Sequence, residues 1–367
     1  MIFLLTVLAS ATILMSCGSG SSSIGGSIPG SPEPLLIGTD FAGTTGHVFV
    51  MTIGSGGELA AAPGSPFTAG FESVAVAVSA STHLAFVANG GDNSVSVFKI
   101  STAGGLSSVG PAVPSGAILP LHLALNNAGN LLIVGNGNGG SILFQVNSTS
   151  GAINQANSTG LGYSGAAFSP DGKAIFSVTS QSLTFSVDPA TGATSVIFNG
   201  PSLGPVIPGP IVVHPSGKFL YVPVKGAMFI PPDPNAKGGL LCFSVGSDGA
   251  WSPLATSPLN SNTSFTFAVI DPSGSRIYAI SDVGPFVYGY NVDSATGELT
   301  AIPGSPFLIN ATNTFALAFD PSGKFLFVSQ PGAISSFQVG QDGALMAVSG
   351  SPFASGAELS SLASLQP

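Results

Sequence analysis

Few side chains in this sequence could carry out acid–base chemistry, and they are far apart along the chain. The 367 residues include 4 histidines, 7 lysines and arginines together, and 16 aspartates and glutamates together. His122 lies in an apolar stretch and, with a carboxylate such as Glu72, could act as a general base that transfers protons. The alternative is a histidine that only satisfies a hydrogen bond in the wall of the fold. His122 and Glu72 are therefore candidate catalytic residues, and both interpretations stay open.

A second set of side chains could bind a ligand. Lys225 and Lys237 lie at the two ends of a long, proline-containing segment. Lysine ammonium groups bind anions and can polarise a carbonyl oxygen. An ordered surface flap packed by Met228 and Phe229 explains the same segment equally well. Three further polar side chains are candidates for the same surface: Tyr163, Asp92 and Asp282.

Several classes of chemistry lack their sequence motifs. The chain has no zinc-type Cys/His spacing, no Gly-Lys-Ser/Thr phosphate loop and no Gly-x-Ser-x-Gly elbow. We therefore expect neither a metal nor a cofactor. The formal net charge is −9 and the basic residues do not cluster, which argues against nucleic acid as a partner.

The elements that must position these residues are short strands joined by a repeated turn. An apolar run ends in the turn Asp320–Lys324, of sequence Asp-Pro-Ser-Gly-Lys, and a second apolar run follows at once. Copies of this turn, counted at the proline or its equivalent, occur at residues 80, 127, 170, 215, 272 and 321. The repeat is therefore 43 to 57 residues long. Four short strands in a repeat of this length indicate a blade of a β-propeller.

The repeats predict an all-β fold, a seven-bladed β-propeller of four-stranded antiparallel blades over residues 35–367. Residues 35–67 lack an innermost strand, and residues 359–367 fall where the next one would begin. We expect the C-terminal strand to complete this N-terminal blade, because closure removes open sheet edges. By analogy with other propellers, Glu72, His122 and Lys225 should share the face opposite the Pro-Ser-Gly turns.

The first 34 residues have a different composition. Residues 2–14 form an apolar stretch of 13 residues, too short to span a bilayer and typical of a signal peptide. Leu14-Met15-Ser16-Cys17 matches the bacterial lipoprotein cleavage pattern, so we expect a lipoprotein signal peptide over residues 1–16 and lipidation of Cys17. The alternative is that Cys17 only ends an ordinary secretory signal. Residues 17–34 are rich in Gly, Ser and Pro and predict a flexible tether.

These features predict a protein of the bacterial cell envelope, either periplasmic or surface-exposed. We expect a membrane attachment through a lipid anchor at Cys17 and a monomeric protein. Its partner would be an unknown small molecule or another component of the envelope, and not nucleic acid.

The repeated motifs resemble a known family. An apolar strand, Pro-Ser/Asp-Gly-Lys and a Phe-Leu-Tyr/Phe-Val strand recur along the chain, as in the seven-bladed lactonase family. That family includes the propeller-type 6-phosphogluconolactonases and the carboxymuconate cyclases. Residues 83–89 and 94–98 also look like the related YVTN surface-layer repeats. The resemblance covers residues 35–367 and implies the propeller fold.

The catalytic motifs of that family are matched only in part. Its Pro-His-Ser-type motif would correspond to Pro120–Leu123, where the histidine is displaced by one residue. One residue along a strand turns a side chain to the other face. Its Asp-Leu-Gly-x-Asp-Arg/Lys motif would fall at residues 135–140, which hold neither a carboxylate nor a cation. A phosphorylated sugar lactone needs cations to hold its phosphate.

Two functions from different classes follow. The sequence favours a cell-envelope propeller that binds a ligand or partner, or serves as a scaffold, without catalysis. The alternative is a lactonase, a 6-phosphogluconolactonase-like hydrolase, that acts on a small lactone of little or no charge. In that case His122 or Glu72 would be the general base and Lys225 would polarise the lactone carbonyl.

Overall fold

Short β-strands make up the regular structure of the chain. The computed structural model describes residues 32–41, 45–138, 140–158, 165–178, 181–204, 206–226, 238–260, 262–281 and 284–367. These residues form strands β1 to β33, arranged in seven antiparallel sheets. The predicted signal peptide over residues 1–16, the lipidation site Cys17 and most of the predicted tether lie outside the described residues. Among the described residues, no helix has the length and apolarity needed to cross a membrane.

Each sheet is one blade, and the blades follow one another along the chain. Blade 1 contains β1 (Leu35–Asp40), β2 (His47–Ile53), β3 (Leu59–Ala61) and β4 (Phe67–Thr68), together with the last strand, β33 (Leu359–Leu365). Blade 2 contains β5 (Ser73–Ser79), β6 (Leu84–Asn89), β7 (Ser94–Ile100), β8 (Leu106–Ser108) and β9 (Val113–Pro114). Blade 3 contains β10 (Ile118–Leu125), β11 (Leu131–Asn138), β12 (Ser141–Val146) and β13 (Ile153–Ser158).

The remaining four blades repeat this arrangement. Blade 4 contains β14 (Ala166–Phe168), β15 (Ala174–Val178), β16 (Gln181–Val187) and β17 (Thr194–Ser202). Blade 5 contains β18 (Val206–Pro208), β19 (Val212–Val213), β20 (Phe219–Gly226), β21 (Gly239–Val245) and β22 (Trp251–Pro253). Blade 6 contains β23 (Phe265–Ile270), β24 (Arg276–Ser281), β25 (Phe286–Val292), β26 (Leu299–Ala301) and β27 (Phe307–Leu308). Blade 7 contains β28 (Leu317–Phe319), β29 (Phe325–Gln330), β30 (Ala333–Val339), β31 (Leu345–Ala347) and β32 (Phe353–Ala354).

The Pro-Ser-Gly turns are held by the residue that precedes the proline. The carboxylate of Asp320 accepts hydrogen bonds from the N–H groups of Ser322 at 3.0 Å and Phe325 at 2.7 Å. The glycine of this turn, Gly323, has φ of 72°, a left-handed conformation that favours glycine. In blade 5 His214 replaces the aspartate, and its Nδ1 accepts the N–H of Ser216 at 3.0 Å. The repeated turn is therefore a structural device that joins the two inner strands of a blade.

A second repeated motif, Gly-Ser-Pro-Phe at residues 64–67, 304–307 and 350–353, holds the outer part of a blade together. In each copy the serine hydroxyl accepts a backbone N–H from the third strand of the same blade: Ser65 from Val50, Ser305 from Gly289 and Ser351 from Ser336, each at 2.9 Å. Ser257 does the same for Cys242 at 3.0 Å, although leucine follows its proline. The short strands β4, β27 and β32 that follow these serines pair with the same third strands. The motif therefore belongs to the scaffold.

The hydrophobic core lies between neighbouring blades. Seven clusters of buried side chains are present among the described residues, and each joins one blade to the next. Between blades 2 and 3, for example, Phe86 packs in one cluster with Leu132 and Phe144. Each blade thus buries both of its faces only because it has a neighbour on each side.

Pairing of the two chain ends closes the ring. β33 is the innermost strand of blade 1 and pairs antiparallel with β1, with Leu35 opposite Leu365 and Gly38 opposite Leu362. Ser360 Oγ also donates to the carbonyl oxygens of Thr39 and, in blade 2, Val74. The predicted seven-bladed fold and its closure by the C-terminal strand are both confirmed.

We expect the closing strand to make a large contribution to stability. Leu362 is 7 % exposed and packs in the cluster between blades 7 and 1. Leu362→Ala should lower the free energy of unfolding by about 2–5 kcal/mol, because it removes buried methyl groups and leaves a cavity. Leu308→Ala is the matched control, because Leu308 is 71 % exposed. Urea unfolding of both variants measures the difference, and equal losses would show that β33 does not close the ring.

Candidate active site

A cavity lies where the inner strands of blades 3 to 6 begin. Its volume is about 430 Å³. The described residues that line it are Leu121 and His122 of blade 3, Gly165 before β14, residues 207–210 of blade 5, Lys225 at the end of β20, and Phe265 and Thr266 of blade 6. Two of the sequence candidates, His122 and Lys225, therefore share one cavity although they are far apart in the chain.

A β-bulge directs His122 into this cavity. Pro120 pairs with Asn136 and His122 with Gly135, so Leu121 is an extra residue in β10. A bulge re-aims the side chains on either side of it. The one-residue displacement of the histidine therefore does not turn it away from the cavity, contrary to what the strand period alone suggests. The inner strands β5 and β23 have the same irregularity, between Ser73 and Ala75 and between Phe265 and Phe267, so the bulge is a property of the scaffold.

The hydrogen bond of His122 determines its tautomer. Nε2 lies 2.9 Å from the carbonyl oxygen of Ala166 in blade 4. A carbonyl oxygen can only accept, so Nε2 carries the proton and Nδ1 carries the lone pair. Burial lowers the pKa of His122 below the ordinary value of 6.5, and the bond to Ala166 opposes this effect only in part. His122 is therefore a neutral imidazole at pH 7 whose Nδ1 can accept a proton.

Lys225 owes its position to an additional inner strand. β18 pairs with the end of β20, with Ile207 opposite Lys225 and Pro208 opposite Val224. β18 belongs to the irregular segment that connects blade 4 to blade 5. This pairing fixes the backbone of Lys225 and puts Ile207 and Lys225 on neighbouring strands at the same cavity.

Glycines let the backbones of three blades approach each other at the wall of the cavity. A Cβ atom on Gly165 would lie 2.7 Å from the carbonyl oxygen of Gly209. A Cβ atom on Gly209 would lie 2.6 Å from the carbonyl oxygen of Thr266. Real Cβ atoms do not approach backbone this closely, so a larger residue at either position would push the blades apart.

The other sequence candidates do not line this cavity or lie outside the described residues. Glu72 has φ of 53°, and its carbonyl oxygen accepts the N–H of Gly90 at 2.7 Å. The carboxylate of Asp92 accepts the N–H of Phe71 and so holds a loop of blade 2. Neither residue is among the lining residues of the cavity. Tyr163, Lys237 and Asp282 lie outside the described residues.

Sequence reasoning missed part of the lining. Four lining residues belong to no sequence motif: Ile207, Gly209, Phe265 and Thr266. They line the cavity only because blades 5 and 6 meet there. The available signal was the irregular sequence of the connections between blades, which include residues 201–209. The described residues contain no group of three or more His, Cys, Asp or Glu side chains that could hold a metal ion.

Comparison with protein families assigns part of the chain. Residues 52–166 match the family described as "Lactonase, 7-bladed beta-propeller". The resemblance to the seven-bladed lactonases is confirmed. The matched segment includes β10 and therefore His122. No match is found among the curated proteins.

Solved structures are similar in fold to nearly the whole chain. A structure described as a putative 6-phosphogluconolactonase from Bacteroides fragilis is 18 % identical, with a TM-score of 0.69, and the match covers 92 % of this chain and 99 % of that one. The periplasmic gluconolactonase of Pseudomonas aeruginosa is 16 % identical, with a TM-score of 0.72, and the match covers 91 % and 99 %. At these identities the likeness establishes the fold.

The close approach of the blades gives a test of the cavity wall. Gly209→Ala should lower the free energy of unfolding by about 1–3 kcal/mol, because the new methyl group meets the backbone of Thr266. Gly110→Ala is the matched control, since a Cβ atom there would meet nothing within 4 Å. Urea unfolding compares the two variants. If Gly209→Ala is as stable as Gly110→Ala, the blades do not meet at this point as described.

Proposed function

We propose that this protein is a lactone hydrolase whose active site is the cavity lined by His122 and Lys225. The observation that carries the proposal is that His122, a half-buried and neutral imidazole, and Lys225 both line one cavity of about 430 Å³. A general base can activate water, and a cation can stabilise the oxyanion that forms when an ester bond is hydrolysed. The family match and the structural neighbours support the lactonase alternative over a scaffold without catalysis.

The proposed reaction adds one water molecule to a lactone and yields one hydroxy acid. Nδ1 of His122 takes a proton from water, and the water oxygen forms a bond to the carbonyl carbon. The carbonyl oxygen becomes an oxyanion, and the Lys225 ammonium group stabilises its negative charge. The bond between the carbonyl carbon and the ring oxygen then breaks. Protonated His122 returns its proton to that ring oxygen, which leaves as the hydroxyl group of the product.

The hydrogen bond to Ala166 gives the His122 ring a fixed orientation, as a general base needs. Because Nε2–H is held by a backbone carbonyl oxygen of the next blade, the ring cannot turn without losing that bond. Burial keeps the imidazole neutral, which is the state that a general base needs before the reaction begins. The carboxylate that orients such a histidine in many hydrolases is replaced here by the backbone of blade 4.

His122 should determine both the rate and its dependence on pH. His122→Gln should lower kcat by roughly 10²–10⁴-fold, since glutamine can donate to Ala166 but cannot serve as a base at neutral pH. In the wild-type protein kcat/KM should be level near pH 7 and fall on acidification, with an apparent pKa below the ordinary histidine value of 6.5. A pH profile of lactone hydrolysis, corrected for spontaneous hydrolysis, measures this. His83→Gln is the matched control and should retain wild-type activity, because His83 lies in the turn between the two inner strands of blade 2.

Lys225 provides the second arm of the same experiment. Lys225→Met should lower kcat by roughly 10²–10³-fold, because it removes the charge that stabilises the oxyanion. Lys173→Met and Lys324→Met are matched controls, because these lysines lie in the turns between the two inner strands of blades 4 and 7 and neither lines the cavity. An effect of equal size in the controls, or an apparent pKa above 6.5, would contradict the proposed assignment of roles.

We also propose that the protein is exported and held at a membrane of the cell envelope by a lipid on Cys17. The sequence of residues 14–17 after a short apolar stretch supports this location. So does the likeness in fold to an enzyme described as periplasmic. A small lactone that enters the envelope would then be the substrate, and the tether over residues 17–34 would separate the propeller from the membrane surface.

Lipidation can be tested directly. Cys17→Ala should abolish incorporation of labelled palmitate and release the protein into the soluble fraction, because the variant lacks the acceptor thiol. Cys242→Ala is the matched control and should still be labelled, since Cys242 is a buried free thiol inside blade 5. Wild-type protein that takes up no palmitate would refute the anchor without affecting the proposed active site.

A further inference from the structure

The wall of the cavity formed by blade 5 offers a ligand no backbone hydrogen-bond donor at residues 208–210. Pro208 and Pro210 have no N–H group, and the N–H of Gly209 donates to the carbonyl oxygen of Pro223 at 2.8 Å. Three consecutive residues of the wall therefore present no backbone donor that is available. Across the cavity, the hydroxyl of Thr266 donates to the carbonyl oxygen of Ile280 at 3.3 Å.

The remaining lining is largely apolar. Among the described lining residues, the side chains that carry a polar atom are His122, Lys225 and Thr266, and none is a carboxylate. Phe265 is fully buried behind the surface of the cavity, held by an edge-on contact with Tyr288 at 4.9 Å between ring centroids. Ile207 is 44 % exposed, so an isoleucine side chain stands at the open side of the cavity. An apolar group of a ligand would remove this surface from water.

From this arrangement we propose that the substrate is a lactone with an apolar alkyl or acyl substituent, and not a polyhydroxylated or phosphorylated sugar lactone. The inference rests on the proposed function, since it assigns the ester group to His122 and Lys225. The rest of the substrate then lies against Leu121, Ile207 and Pro208. Each methylene group that becomes buried there should raise kcat/KM by about fourfold.

The same lining opposes a sugar lactone. The ring hydroxyls of a gluconolactone lose their bonds to water on entering, and residues 208–210 offer them no backbone donor in exchange. Carboxylates commonly accept hydrogen bonds from sugar hydroxyls, and the described lining has none. A hydroxyl group that is buried without a partner weakens binding. Among the described lining residues, Lys225 is also the one cation, and the ester carbonyl already occupies it.

Three lactones with the same ring size test the proposal with the full-length protein. They are δ-valerolactone, which has no substituent, δ-decanolactone, which has a pentyl chain, and glucono-δ-lactone, which has several hydroxyl groups. We expect kcat/KM for δ-decanolactone to exceed that for each of the other two by at least about tenfold. Ile207→Ser should remove most of this preference for δ-decanolactone over δ-valerolactone. Val196→Ser is the matched control, because Val196 is 56 % exposed on the outermost strand of blade 4.

A binding measurement separates the substrate class from the reaction. The pentyl-substituted δ-lactam resembles δ-decanolactone but resists hydrolysis, and calorimetry measures its affinity for wild type and Ile207→Ser. Preferential hydrolysis of glucono-δ-lactone would overturn the substrate class and leave the proposed function intact. Lactam binding that weakens about tenfold in Ile207→Ser, without hydrolysis of any lactone, would overturn the function and support the ligand class. If the protein hydrolyses none of the three lactones and does not bind the lactam, both the proposed function and the proposed ligand class are overturned.

Discussion

Apolar packing between neighbouring blades is the interaction on which the rest of this structure depends. A four-stranded sheet has two faces, and the strands here are apolar on both, so a single blade cannot remain folded in water. The seven buried clusters show how the chain satisfies this requirement, because each cluster takes its side chains from two adjacent blades. A linear array would leave two apolar faces exposed at its ends. Pairing of β33 with β1 removes those ends, and the ring becomes one cooperative unit.

The cavity arises where the repetition is least regular. The turns at Asp320, Asp271 and His214 use nearly the same hydrogen bonds, which leaves that side of the propeller uniform. The connections between blades vary, and the one into blade 5 adds β18 beside the end of β20. Glycines at positions 165 and 209 allow these irregular segments to pack closely without side chains between them. A site with different groups on its different sides can form there, whereas repeated turns would offer the same groups around the ring.

The chemistry of His122 follows from its place between two blades. Its backbone belongs to blade 3, and the carbonyl oxygen that binds its Nε2–H belongs to blade 4. Packing between blades therefore both lowers the pKa of the imidazole and selects its tautomer. The scaffold fixes the orientation of the imidazole without a carboxylate partner, which is consistent with the position of Glu72 away from the lining. The packing of blades 3 and 4 and the orientation of the imidazole thus depend on the same contact.

The sequence by itself determined the blade count, the strand order within a blade and the closure by residues 359–367. These features depend on local turn chemistry and on the spacing of apolar runs, and both can be read residue by residue. It also singled out His122 and Lys225, because histidines and charged residues are rare in this chain. Only the tertiary structure showed that these two share a cavity with Ile207, Gly209 and Phe265, whereas Glu72 and Asp92 do not. The physical reason is that the residues lining a cavity between blades are set by the angle and the distance between neighbouring blades, and local sequence does not specify either. The bulge at Leu121 changed the direction of a side chain in a way that a strict two-residue period cannot predict.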